Sequence, residues 1–205
     1  MTDQERYRAI LGNHLPAGAV DWVYGYLDRH KVHFHISRGR RTKLGDYRWV
    51  QPNHPFHEIS VNGDLNPYLF LMVFLHEAAH LETHLKYRDV QPHGHEWQGE
   101  YAALLRQHLG LFPSEVQPLI VSYTSRIPLH RPTLQRIEDM LHTYDTAHTA
   151  ALRLDSLPVG SRFRLVSKPE LLFENIEHRR TRWLCREVTS GRQYLVNGHA
   201  EVTAE

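Results

Sequence analysis

Apolar and polar positions along the chain fall into stretches of distinct period, and each predicts an element. Residues 4–12 and 18–30 carry apolar side chains at helical spacing, with Tyr7, Ile10 and Leu11 in the first stretch and Val20, Val23, Tyr24 and Leu27 in the second. Pro16 separates the two. The run Val32-His33-Phe34-His35-Ile36 alternates, which predicts a strand with Val32, Phe34 and Ile36 toward the core and both histidines outward. Strands at 47–50 and 57–61 follow, the second expected to offer an exposed edge to which an extended peptide could add. The longest signal comes next. Asn66-Pro67, a capping residue and then Pro at the first helical position, opens a helix over 67 to about 86 that is almost wholly apolar from Tyr68 to Leu75.

A loop at 87–91 leads to a helix from about 96 to 109, ended by Gly110, and Phe112-Pro113-Ser114 opens another to about 123. Residues 125–132 carry two prolines and read as a surface loop before a helix from 133 to about 144. After a thin stretch at 145–150 the pattern changes. Short strands at 162–166, 171–176, 181–188 and 193–196, with turns at Lys168-Pro169 and Ser190-Gly191, predict a small all-β module over 157–205. The expected fold class is therefore α+β: a domain at 1–150 with a small mixed sheet backed by helices, followed by that module.

The candidate chemistry sits in the apolar helix, at Leu75-His76-Glu77-Ala78-Ala79-His80-Leu81. Residues four apart share a helix face, so His76 and His80 can offer two imidazoles to one metal while Glu77 lies beside them. This is a zinc hydrolase signature: two neutral imidazoles suit zinc, which lowers the pKa of its bound water from 15.7 to about 7, and a free carboxylate can take the proton. With 17 histidines in the chain the spacing alone is weak. The apolar context strengthens it, because burying such polar groups is costly unless something pairs with them.

A catalytic zinc site needs a third protein ligand, and four residues are in range. His84 continues the same face, but at 1.5 Å per residue it stands some 12 Å from His76 along the axis. Glu100 lies twenty residues after His80, at the offset of a thermolysin-like glutamate ligand. His93 and His95 lie in Pro92-His93-Gly94-His95-Glu96-Trp97. The spacing leaves His93, His95 and Glu100 open.

His76-Glu77-x-x-His80 followed by His93-Gly94-x-Glu96-Trp97 resembles the SprT-like zinc metalloprotease domain family, which includes bacterial SprT and the Spartan proteases of DNA–protein crosslinks. Upstream, Ile36-Ser37-Arg38, Lys43-Leu44-Gly45-Asp46-Tyr47 and His57-Glu58-Ile59-Ser60-Val61 look like the family's hairpin before the catalytic helix. The resemblance covers roughly residues 1 to 125. It implies a zincin-type metalloprotease domain with one Zn2+ on His76, His80 and His93, Glu77 as catalytic base, and a protein or peptide substrate that includes DNA-associated proteins. Many relatives carry a cysteine zinc ribbon after the protease domain; this chain has Cys185 as its one cysteine.

Composition adds bounds. A chain of 205 residues that is 41% hydrophobic can build a core, and a lone cysteine removes any internal disulfide and fits a reducing compartment. Neither a signal-peptide pattern at the N-terminus nor an apolar run of ~18 residues is present, so the expectation is a cytoplasmic protein with no membrane partner. A net charge of +1 lends nothing to nucleic-acid binding globally. Locally, Arg38, Arg40, Arg41 and Lys43 form a basic turn, and alternation in 180–186 puts Arg180, Arg182, Leu184 and Arg186 on one face with Thr181, Trp183 and Cys185 on the other. Either could contact a nucleic-acid backbone, and either is also what an ordinary solvated surface looks like. Three functions follow: a zinc protease; a zinc hydrolase of another substrate class, or a peptidase using Glu100; and a nucleic-acid-binding or scaffold protein with non-proteolytic zinc.

Overall fold

The computed structural model describes residues 2–40, 42–50, 56–88, 90–145, 152–179 and 182–205. The chain is mixed α and β and divides into two compact units, Met1–Thr149 and Ala150–Glu205.

The first unit is built on the apolar helix. Asn66 caps it, its Oδ1 accepting from the N–H groups of Tyr68 and Leu69 at 3.1 Å each, and Pro67 opens it. The helix, α3 (Pro67–Lys86), buries residues on every side, as a helix apolar nearly all round must. Phe70, Leu71, Phe74 and Leu75 are fully buried, each contributing about 1.5–3 kcal/mol. Phe74 meets Trp22, Tyr26 and Phe34 edge-on at ring centroids 5.8–6.0 Å apart.

Around α3 lie α1 (Asp3–Gly12), α2 (Val20–Arg29), α4 (His95–Gln107), α5 (Gln117–Tyr123) and α6 (Arg131–Leu141). The stretch at 18–30 resolves into a short 3-10 turn at Ala17–Ala19 and then α2, and the helix expected from 133 starts two residues earlier and ends in a 3-10 turn at His142–Tyr144. The 125–132 segment packs Leu129 onto the hydrophobic core and so is more than a surface loop.

Strands β1 (Val32–Ser37), β2 (Gly45–Val50) and β3 (Phe56–Asn62) form a mixed sheet in the order β1-β3-β2, with β1 parallel and β2 antiparallel to β3. This corrects one expectation. The 57–61 strand has no free edge, because β1 and β2 hydrogen-bond to both of its sides; β1 and β2 are the edges instead. At the end of β3, Asn62 is 1% exposed and fully engaged. Its amide donates to the carbonyls of Arg40 and Lys43, and its oxygen accepts from Ser37 and Arg40, so one buried side chain ties together Ser37, Arg40 and Lys43.

The second unit is a five-stranded antiparallel sheet of β4 (Arg162–Leu165), β5 (Lys168–Arg179), β6 (Arg182–Glu187), β7 (Gln193–Asn197) and β8 (Val202–Ala204), in the order β7-β6-β5-β4-β8. Its core joins Leu154, Leu157, Phe163, Phe173, Cys185 and Val202. Lys168 and Pro169 do not form the turn expected there: the turn is two residues earlier, at 166–167, and Pro169 is the second residue of β5, near the strand start where a missing N–H is tolerated. Leu184 also departs from its expected outward face. It is 8% exposed beside the fully buried Cys185, and it pairs with Glu177 at the point where β5 bulges between Asn175 and Glu177, so simple alternation does not hold there. Among the described residues no helix is long and apolar enough to cross a membrane.

Candidate metal centre

His76 and His80 stand one turn apart on α3, and the loop before α4 brings His93 over them. The Nε2 atoms of His76 and His80 each lie 3.1 Å from Nε2 of His93, and one ligand atom from each of the three lies within 4.8 Å of the others. Three neutral imidazoles that converge through Nε2 cannot all satisfy one another, since each Nε2 presents either an N–H or a lone pair and the three can make only one well-formed hydrogen bond among them. What satisfies such a set is a cation. Tetrahedral zinc with bonds of about 2.0–2.1 Å sets neighbouring nitrogens about 3.3 Å apart, close to the spacing seen. The residues present therefore fit zinc.

Their protonation favours the same use. Burial first, then the neighbouring imidazoles, push His76 down to about 3 and His80 down to about 4, and burial also lowers His93. Neutral imidazole is the ligating form. Trp97, 5% exposed, packs on all three rings at centroid distances of 4.6, 5.2 and 4.6 Å to His76, His80 and His93. Tyr101 lies beyond it against His76, and Tyr47 of β2 lies parallel to His80 at 6.2 Å. The rings are thus walled by aromatics from one helix, α4, and from strand β2.

Glu77 turns toward β2. It is 6% exposed; burial first, then Asp46, raise its pKa to about 8, against the opposing pull of Arg40, Lys43 and a hydrogen bond from the Tyr47 N–H. The strand comes so close that a Cβ on Gly45 would lie 2.4 Å from Glu77 Oε1 and 2.7 Å from Val73 Cγ1. Only glycine leaves that space. Asp46 is itself raised by burial, yet Lys43 and Arg48, both at 2.7 Å, hold it below the usual carboxylate range.

The competing ligands lie elsewhere. Glu100 accepts from Lys86 Nζ at 2.7 Å and Tyr87 Oη at 3.3 Å, while His95 is exposed at the first position of α4. His84 packs among Tyr47, Trp49 and His57. Of the basic residues, Arg40 bonds Asn62 and Ser60, Lys43 bonds Asp46, and Arg38 is exposed. In the second unit Arg182 is exposed and Arg186 pairs with Glu174 at 2.6 Å across the β5–β6 ladder. Arg41 and Arg180 lie outside the described residues. One residue of the centre carried no signal in the sequence. Gln98 donates its side-chain N–H to the His93 carbonyl at 3.0 Å, and nothing about a glutamine in the first turns of a helix marks that role.

Comparisons with protein-family models, with curated proteins and with solved structures give no match to this chain.

Proposed function

We propose that this chain is a zinc-dependent metallopeptidase of the SprT-like kind, its first unit a zincin-type domain working in the cytoplasm. The observation that carries the reading is the convergence of His76, His80 and His93 nitrogens beside the buried carboxylate of Glu77. Bound there, zinc supplies a Lewis acid that acidifies water, polarises a scissile carbonyl and, as a dication, favours the ionised form of Glu77. His76, His80 and His93 hold the ion in their neutral forms. Glu77 accepts the proton from the attacking water at a carboxylate oxygen and returns it to the leaving amine. Gly45 and the Tyr47 N–H fix where that carboxylate sits. The edge of β2 lies against the His80 ring through Tyr47, which makes β2 the strand for an extended peptide to join. Proteins bound or crosslinked to DNA are the substrate class that the SprT-like resemblance implies.

Cleavage of an unstructured protein such as casein tests the reading when wild type and Glu77→Gln are compared at equal zinc content. Glutamine is isosteric and cannot take the proton, so turnover should fall more than about 100-fold with zinc retained. Equal rates in the two proteins would contradict it.

A further inference from the structure

We propose that Gln98 is the positioning residue of the third metal ligand, holding His93 in place by a side-chain bridge to the 127–129 segment. The inference rests on the zinc reading above and deepens it at the one ligand that no helix holds. His76 and His80 take their places from α3, flanked by buried residues. His93 has no such support: it is exposed, lies in the turn before α4, and has a backbone φ of +59°. A side-chain-bearing residue in that left-handed region costs roughly 1–2 kcal/mol, so the turn must be held by contacts around it.

Besides the Trp97 ring packed on the His93 ring, two hydrogen bonds hold its backbone. The Gly94 N–H bonds the Gln91 carbonyl at 2.9 Å, closing the turn, and Gln98 Nε2 donates to the His93 carbonyl at 3.0 Å. The other half of the same amide is also in use, Gln98 Oε1 accepting the Leu129 N–H at 2.8 Å. Leu129 packs against the core, so the bridge ties the ligand's own peptide group to the hydrophobic interior. Both partners are backbone groups of fixed polarity. Only a side chain with a donor and an acceptor at its tip can serve both, and among side chains of this length that is glutamine.

That chemistry supplies its own dissection. Gln98→Glu keeps the acceptor for Leu129 and loses the donor to His93; Gln98→Met has nearly the same length and loses both. Zinc affinity of the full chain is measured by competition with a chromophoric chelator for wild type, both variants and His93→Ala, alongside the thermal midpoint of each metal-free protein. Removing a group that orients a ligand weakens metal binding by about 10–100-fold, so both variants should fall in that range while metal-free Gln98→Glu melts like wild type. The visible absorption of the cobalt-loaded variants should shift toward that of His93→Ala, which a general loss of stability would not cause. If Gln98 serves only the 127–129 segment, Gln98→Glu binds zinc within about 2-fold of wild type, and the inference is overturned. Should Gln98→Glu fail to fold, Gln98→Met decides by the same ratio. A wild-type chain that holds no zinc would sink the zinc reading itself; tight wild-type zinc with unaltered Gln98 variants sinks this inference alone.

Discussion

Replacing Gly45 by alanine adds a single methyl group at the place where β2 meets the candidate base. The new carbon would stand 2.4 Å from Glu77 Oε1, 2.8 Å from Glu77 Cγ and 2.7 Å from Val73 Cγ1. Carbon contacts are comfortable at about 3.5–4.0 Å, so Glu77 and Val73 must retreat by roughly 1 Å. Both obstructing groups are side chains on α3, which can tilt without unravelling the helix. Overpacking of this kind costs about 1–3 kcal/mol, or about 2–4 °C in the thermal midpoint per kcal/mol for a unit of this size. Displacing a reacting group by about 1 Å costs on the order of 100-fold in rate. Gly45→Ala should therefore keep its zinc, melt a few degrees lower and lose about 100-fold in turnover on casein. In a Glu77→Gln background the same substitution should cost turnover almost nothing further, because both changes act on one group. Gly45→Ala with wild-type turnover, or a full additional loss in the double variant, would refute the placement of Glu77 by β2.

Asn66→Ala removes the acceptor for two helix N–H groups and the donor to the Leu141 carbonyl at 2.9 Å. A lost cap costs about 1 kcal/mol and a stranded buried carbonyl about 1–3, so denaturant titration should show a loss of roughly 2–4 kcal/mol. Glu100→Gln should leave zinc content at one per chain, since Lys86 and Tyr87 occupy its oxygens; zinc lost on that substitution would restore Glu100 as a ligand.

What the sequence disclosed follows from how local each signal is. The Asn66-Pro67 cap, the apolar run after it and the four-residue spacing of His76 and His80 are all written within one helix. The alternation of 32–36 is equally local, and His33 and His35 are indeed the exposed positions of β1. Sheet order is not local. Strand β1 pairs in parallel with β3 while β2 takes the far side, and no residue of 57–61 announces that both its edges are taken. The contact of Gly45 with Glu77, 32 positions apart, and the bridge from Gln98 to Leu129, 31 positions apart, are likewise set by tertiary packing. In the second unit β8 is only three residues long, too short to show a period, and Pro169 looks like a turn residue although it lies within a strand, second in β5. His93 was one of three third-ligand residues that spacing left open. The turn that carries it over α3 is what brings its nitrogen to the other two.

The central claim, one zinc on three histidines, is tested most directly by metal content. The purified wild-type chain should carry one zinc per molecule, and His93→Ala should carry much less under the same chelator challenge while remaining folded. Full zinc occupancy in His93→Ala, or a wild-type chain without zinc after reconstitution, would contradict the account.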